Sequence, residues 1–402
     1  MANPPEEKSS RAPTAAGPTR RHEVAIVGAG IAGASLAYFL AREGLGDVVV
    51  LERESQPAYH ASGRSAATLV ELDPVPTVQK LKILGARFLR EPPPGFSRGP
   101  VLERRGVLAL FCEPAWSTLE REAHRLEDEG LRFSLLGPEE ATARVDGVLD
   151  PGKFDGAVWL PEDGFLDVHE LLTGYVRGAR AAGVRFELGC EVRGILREGR
   201  RAVGVETNRG RILARWVVNA AGAWVGEIAR EAGALPIEFV PYRRTLVVFR
   251  PPPPYDPRAW PLVWSEPHRL YFRPETTGIL FCPMDETPER PCDAKPDEMA
   301  LAEGLERLRE LAPSLVPSHL GRRWAGLRTF APDRVPVVGE DPWLHGFFWL
   351  AGQGGSGIET SGILGAVAAD LLLRGSTTRF DADLLSPGRF LDSRRGRGGA
   401  PS

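Results

Sequence analysis

Near the N-terminus an apolar run, Val24-Ala-Ile-Val, ends in Gly28-Ala-Gly30-Ile-Ala-Gly33-Ala, and a second apolar run, Val48-Val-Val-Leu, ends on Glu52. The three glycines have the G-x-G-x-x-G spacing of a turn between a buried parallel strand and a helix that closes over a dinucleotide. Gly28 permits the tight turn, Gly30 lets the backbone approach a pyrophosphate, and Gly33 lets the helix pack against the strand. The first helical amides, at Ile31 and Ala32, then face the phosphates, where the helix dipole favours negative charge. Glu52 falls 19 residues after Gly33, placed to accept hydrogen bonds from ribose hydroxyls. A glycine-rich turn in an unrelated α/β protein would share the triplet without the acid on schedule.

The 402 residues suggest two or three domains or one interleaved pair, and 43% hydrophobic residues can bury a sizeable core. A formal net charge of -3 offers no basic field to nucleic acid or an anionic membrane. Cys112, Cys190, Cys282 and Cys292 contain no C-x-x-C pair, and the 7 histidines have no metal-binding spacing. This argues against a disulfide framework and a metal site, and fits a reducing, cytoplasmic compartment. Residues 1–21 read as a disordered leader without the apolar core of a signal peptide, and 389–402 as a solvated tail. The apolar run Ala25–Ala34 is too short to span a bilayer.

Further along, His60-Ala-Ser-Gly-Arg-Ser-Ala-Ala67 reads as a loop running into a helix start. Ser62, Arg64 and Ser65 suit phosphate and ribityl contacts there, although an ordinary capped helix could carry the same residues. A buried strand is expected at 106–111, helices at 114–129 and 138–145, and a helix over Val168–Ala182. A hairpin around Gly199 precedes the strand 211–219, which ends in Asn219-Ala-Ala-Gly-Ala-Trp224. Small residues such as Ala221 and Gly222 at a strand's carboxyl end admit a ligand, or simply let the next helix pack. Residues 236–330 change character: Tyr242–Arg250, Pro261–Trp264, Arg269–Arg273 and Gly278–Cys282 are short strands between Pro-rich turns, the pattern of an antiparallel sheet, with one helix at about 297–311. Parallel-strand character returns at Gly346-Phe-Phe-Trp-Leu-Ala, followed by Gly352-Gln-Gly-Gly-Ser-Gly-Ile358 and an apolar helix to about Leu373. A second glycine-rich helix start this late folds the C-terminus back onto the first.

Taken in order, these motifs resemble the FAD-dependent D-amino acid oxidase and glycine/sarcosine oxidase superfamily from about 22 to 388, with Trp324-Ala-Gly-Leu-Arg-Thr-Phe330 as a further match. Leu51–Ala67, Arg243-Arg244, Leu270-Tyr-Phe-Arg-Pro274 and Gly346-Phe-Phe-Trp349 are most similar to the bacterial D-arginine dehydrogenases. The resemblance implies an α/β fold: a Rossmann-like FAD-binding domain from 22–90, 147–236 and 325–388, interleaved with an antiparallel-sheet (α+β) substrate domain from 91–146 and 237–324. To the glycines, Ile31, Ala32 and Glu52 it adds Arg53, Ser62, Arg64, Ser65, Ala66 and Val192 as FAD contacts. Ala221, Gly222 and Trp224 join them, as do Gly352, Gly354, Gly355, Ser356, Gly357 and Ile358. Gly326 stands where monomeric sarcosine oxidases carry a flavin-linked cysteine, so non-covalent FAD is implied.

The resemblance also places Arg328 at the family's substrate-carboxylate clamp, with Arg244 and Tyr271 contacting the same end of the substrate. A guanidinium suits that task because it binds a carboxylate bidentately and keeps its charge. Surface ion pairs for the arginines and core packing for Tyr271 are the plain alternatives. The sequence departs from the D-arginine enzymes at Thr68, Val70 and Asp73, and Val107 replaces a glutamate that pairs with the substrate guanidinium. Without that partner a buried guanidinium is penalised, so a neutral side chain is expected, with Glu71 or Asp73 as another route to a cation. The implied reaction is oxidation of the α C–N bond of an amino acid, most readily a D-amino acid, with oxygen or a quinone as acceptor. N-methyl amine or glycine-type oxidation, 2-hydroxy acid oxidation, and a flavoprotein subunit of a larger complex are the alternatives.

Overall fold

The computed structural model describes residues 20–391, so the leader expected at 1–21 and the tail expected at 389–402 fall largely outside the described residues. Where they overlap it, both expectations are corrected. Arg20 and Arg21 belong to the first strand, β1 (Arg20–Val27), and Arg20 pairs with Glu187 across the sheet. At the other end Arg389 sits in the turn Pro387–Phe390, with its Nε 2.7 Å from Asp333 Oδ2.

β1 continues through the glycine turn into α1 (Ile31–Arg42) and then β2 (Val48–Glu52). The last four residues of β1 are buried on both faces, as a central parallel strand requires. β1 pairs in parallel with β2 on one side and with Gly210–Asn219 on the other; β2 pairs in parallel with Arg185–Leu188. Phe347–Ala351 joins Gly210–Asn219 in parallel, and the hairpin Val192–Glu198/Arg201–Thr207 completes one flank of an eight-stranded sheet. The C-terminal helix Ser361–Arg374 returns against α1, and a Cβ on Gly365 would lie 2.8 Å from Phe39 Cδ2, so the crossing needs glycine.

A nine-stranded sheet stands beside it, built around Val240–Phe249, Gly278–Cys282, Leu270–Glu275 and Leu262–Ser265. It is antiparallel except for one pair, Leu262–Ser265 with Val107–Phe111. One face is covered by the helix Glu298–Leu311 through Leu301, Leu308 and Leu311; the other, carrying Val107, Ala109, Leu246, Tyr271 and Cys282, turns inward.

Two strands lie outside their expected domain. Gly156–Leu160, and Arg323–Phe330 from residue 325 onward, fall in stretches assigned to the cofactor domain but pair into the nine-stranded sheet. The first is a short run between turns that carries no periodicity of its own. The second borders the cavity between the sheets, where Gly326 reads as facing the flavin and Arg328 as the substrate clamp. The helix expected after His60 is also absent. Gly63 N bonds Ala58 O (2.9 Å) and Arg64 N bonds His60 O (3.1 Å), closing turns that run instead into the strand Thr68–Leu69.

Candidate active site between the two sheets

A cavity of about 500 Å³ opens where the carboxyl ends of β1 and β2 meet the inner face of the nine-stranded sheet. Gly28, Gly30, Ile31 and Ala32 line it, followed by Glu52 and Arg53, and by Ser62, Arg64, Ser65 and Ala66. Val192, Ala221, Gly222 and Trp224 form a further wall, and Gly352, Gly354, Gly355, Gly357 and Ile358 close the opposite side. Segments more than 300 residues apart in the chain are brought together here. Gly33 and Ser356 stand behind the lining. A Cβ on Gly33 would lie 2.0 Å from Gly28 O, so its task is helix-to-strand packing; Ser356 is buried, with its amide on Gln353 O at 2.9 Å.

The glycine turn is built for close approach. Gly28 has φ +106°, and a Cβ there would sit 2.6 Å from Ala220 O. Glu52 is fixed by backbone: Oε2 accepts from Ala29 N at 2.9 Å and Oε1 from Glu54 N at 3.0 Å. At the start of α1, Ser62 Oγ accepts from Ile31 N at 3.0 Å, so that amide is occupied. The amides of Ala32 and Gly33 have no acceptor within the helix, and no acid in the first turn competes with an anion. Next to Glu52, the Arg53 guanidinium lies 3.7 Å over the Trp224 ring, a flat face suited to stacking with a base.

Arg64 departs from its expected role. Its guanidinium pairs with Asp293 and donates to Ala294 O (3.3 Å) and Ala325 O (3.2 Å), fastening the loop to the second sheet instead of waiting for a phosphate. Its stem still borders the cavity, 3.5 Å from where a Cβ on Gly326 would stand. Ser65 Oγ likewise turns to backbone, accepting from Ala67 N at 3.0 Å.

Arg244 and Arg328 enter the cavity from adjacent strands. Tyr242 pairs with Arg328 and Arg244 with Gly326, so the two arginines are diagonal neighbours on one face. Among the described residues Arg328 has no carboxylate partner; its Nη2 lies 3.4 Å from Tyr271 Oη, and Gly355 leaves the approach to the guanidinium clear. Arg244 is only 5% exposed, and its Nε and Nη1 have no acceptor. Buried donors without acceptors are costly, and here they stand beside Arg328, a cation with no carboxylate partner among the described residues. Tyr271 does not itself line the cavity, but its hydroxyl bridges toward it. Burial pushes the phenol well above its ordinary value, against the opposing pull of Arg328 and Arg244, so it remains a neutral hydroxyl.

The wall behind these groups is apolar: Val107, Ala109, Leu246, Leu262 and Tyr271 pack with Leu72, Leu160 and Val70. Glu71 and Asp73, the acids that sequence left open for a cationic substrate, are both engaged elsewhere. Glu71 pairs with Arg90, whose Nη2 also lies 3.3 Å from Asp163; Asp73 Oδ2 lies 2.9 Å from Lys82 Nζ. Lys82 also lies 3.5 Å from Glu359, whose carboxylate accepts from Val70 N at 2.7 Å. This buried cluster, invisible to sequence because Glu359 lies far along the chain from Asp73 and Lys82, ties the segment after the glycines 352–358 to the strap 68–73. Burial pushes the Glu359 carboxyl up, and the Lys82 charge opposes it. Lys82→Met leaves two buried acids facing one another, and the expected loss of stability is about 3–5 kcal/mol. Chemical unfolding at pH 7 measures it, and the deficit narrows as pH falls and Glu359 takes up a proton.

Comparison with known proteins agrees with this geometry. The profile of the FAD dependent oxidoreductase (DAO) family matches residues 23–371. The chain belongs to the DAO family of FAD-dependent oxidoreductases. It is 26% identical over 92% of its length to mitochondrial dimethylglycine dehydrogenase of Rattus norvegicus, and spans only 45% of that protein. It is 27% identical to the sarcosine oxidase subunit beta of Rhizobium meliloti, covering 96% of this chain and 93% of the relative. The crystal structure of L-proline dehydrogenase from P. horikoshii superposes with a TM-score of 0.82 at 25% identity, covering 94% of this chain and 99% of that one. FAD, the cofactor of the DAO family, fits the residues present: the Gly28 cradle, two unpartnered amides at the head of α1 and a fixed Glu52. Gly326 offers no side chain for a covalent link. No helix among the described residues is long and apolar enough to cross a membrane.

Proposed function

We propose that the chain oxidises the α C–N bond of an amino acid to an imino acid, which water then converts to a 2-oxo acid and ammonia. The observation that carries this reading is the pair of guanidiniums, Arg328 without a carboxylate partner and Arg244 with two buried unpaired donors, at the inner face of the sheet. Bound FAD supplies the two-electron acceptor. The chain's own residues bind and orient the substrate. Arg328 takes the carboxylate as a charge-assisted pair, Arg244 and the Tyr271 hydroxyl complete its coordination, and the apolar wall excludes water. Two nearby cations also lower the proton affinity of the substrate amine, favouring the neutral form that can give up its α hydrogen's electrons. A dedicated base is then unnecessary.

The dimethylglycine and sarcosine relatives make N-methyl amino acids the competing substrates. The motif resemblance to D-arginine dehydrogenases read from the sequence points to the D series, but Val107 and Val70 belong to the apolar cluster behind the cavity and Glu71 and Asp73 are committed to Arg90 and Lys82. A guanidinium placed there would lack a carboxylate. The expected result of an anaerobic flavin-bleaching screen is therefore rapid reduction by neutral D-amino acids and slow reduction by D-arginine and D-lysine. Fastest bleaching by sarcosine, or by 2-hydroxy acids with no response to amines, would replace this reading. Repeating the reaction in air with an oxygen electrode, then with a soluble quinone, identifies the acceptor.

A second reading, a subunit of a larger assembly, is favoured by a groove of about 1600 Å³ on the other side of the Gln56–Ala67 loop, lined by Arg98, Arg250 and Arg322 among others. A protein that binds FAD but is not reduced by any amine on its own would support it.

A further inference from the structure

Arg244 is held from behind. Its Nη2 donates to Glu286 Oε1 at 2.9 Å, and the other oxygen of that carboxylate accepts from Arg334 Nη2 at 2.9 Å. Arg334 lies toward solvent, 44% exposed, with its guanidinium 4.5 Å over the Phe330 ring. The turn carrying Glu286 is itself pinned, because Asp285 accepts from Thr245 N at 2.7 Å and from Thr245 Oγ1 at 2.8 Å, one residue beyond Arg244. Glu286 therefore cannot drift away from Arg244, and a single carboxylate is divided between a buried cation and an exposed one.

We propose that Glu286 is a positioning residue that sets how strongly Arg244 binds the substrate carboxylate, aiming the guanidinium into the cavity while absorbing part of its charge, and that Arg334 controls the share by drawing the same carboxylate outward. This rests on the reading that Arg244 contacts the substrate carboxylate. The ion pair to Glu286 leaves Nε and Nη1 as the free donors, which orients them. It also competes electrostatically with an incoming anion, because a guanidinium already facing one carboxylate gains less from a second. Burial would raise the Glu286 carboxyl, but the Arg334 hydrogen bond and the charges of Arg244 and Arg334 outweigh it and hold the group below the usual carboxylate range. It is therefore fully ionised and acts as a fixed negative charge.

Binding of benzoate to the FAD-loaded full chain, followed by perturbation of the flavin absorbance, tests this, with benzamide as the uncharged control. Glu286→Gln keeps an acceptor for Nη2 but removes the competing charge, and should tighten benzoate on the order of tenfold with benzamide unchanged. Arg334→Gln, at an exposed position, returns the whole carboxylate to Arg244 and should weaken benzoate severalfold; in the Glu286→Gln background that weakening should disappear. A merely structural role for Glu286 would weaken both ligands alike. If Arg244→Met binds benzoate as the unmodified chain does, or the unmodified chain does not bind benzoate, the reading of the site fails and this inference with it. If Arg244→Met weakens benzoate but the Glu286 and Arg334 variants shift it in the same direction or not at all, only the inference falls.

Discussion

Replacing Arg328 by methionine should raise KM for the best amino acid substrate about a hundredfold, with the flavin content of the purified protein unchanged. Methionine keeps the unbranched stem while removing the guanidinium that lies against Gly355, a cavity cation with no carboxylate partner among the described residues. A hydrogen bond to a charged group contributes roughly 1.5–3 kcal/mol, and a bidentate pair sits at the upper end. At about 1.4 kcal/mol per tenfold change, losing such a pair amounts to a factor near a hundred. Arg244 remains and keeps residual binding, so the site is weakened rather than abolished. The Tyr271 hydroxyl, 3.4 Å from Arg328 Nη2, loses its cationic neighbour but stays protonated because burial already holds it so. Steady-state kinetics with the substrate found by the bleaching screen decides the matter. An unchanged KM would remove Arg328 from the substrate site.

Much of this architecture could be read from local sequence, and the reason is physical. Gly28, Gly30 and Gly33 are separated by one and two residues, and the positive φ of Gly28 and its close approach to Gly33 arise within the turn itself, so spacing alone carries the message. The glycine segment 352–358 is legible for the same reason. The motifs around Arg328 and Arg244 single them out as candidates; that they are diagonal neighbours follows only from the pairing of Arg323–Phe330 with Val240–Phe249. Arg64 looked like a phosphate ligand because its loop is glycine- and serine-rich, yet Asp293, which claims its charge, lies 229 positions away. Lys82, Asp73 and Glu359 show the same limit from the other side. None stands in a motif, and their joint role exists only once the stretch holding Asp73 and Lys82 is packed against Glu359 from the far end of the chain. The Arg244–Glu286 pair is hidden for the same reason, since nothing in Met284-Asp-Glu-Thr marks one acid as facing an arginine.

The other large effect is expected at Gly33, where valine should yield a protein that folds poorly and purifies without FAD. A Cβ at this position would stand 2.0 Å from Gly28 O and 3.1 Å from Ile26 Cγ2. The first contact is with backbone that cannot rotate away, so α1 must lift from β1 by more than an ångström. That displacement carries the Ile31, Ala32 and Gly33 amides away from the turn and breaks the Ser62–Ile31 bond and the Ala29–Glu52 bond that fixes the acid. Overpacking of this kind typically costs about 1–3 kcal/mol even in yielding cores, and α1 is wedged between the sheet and the helix Ser361–Arg374, where Gly365 already allows no retreat. Gly30→Ala is the calibrating contrast. Its new Cβ would meet only the Ser62 hydroxyl, at 3.3 Å, a side chain able to give way. That variant should fold normally and retain FAD with weakened affinity. The ratio of flavin absorbance near 450 nm to protein absorbance after desalting separates the three proteins, and adding free FAD should restore colour to Gly30→Ala but not to Gly33→Val. Stoichiometric FAD in Gly33→Val would mean that the glycine turn does not cradle the cofactor, and the cavity between the sheets would then need another occupant.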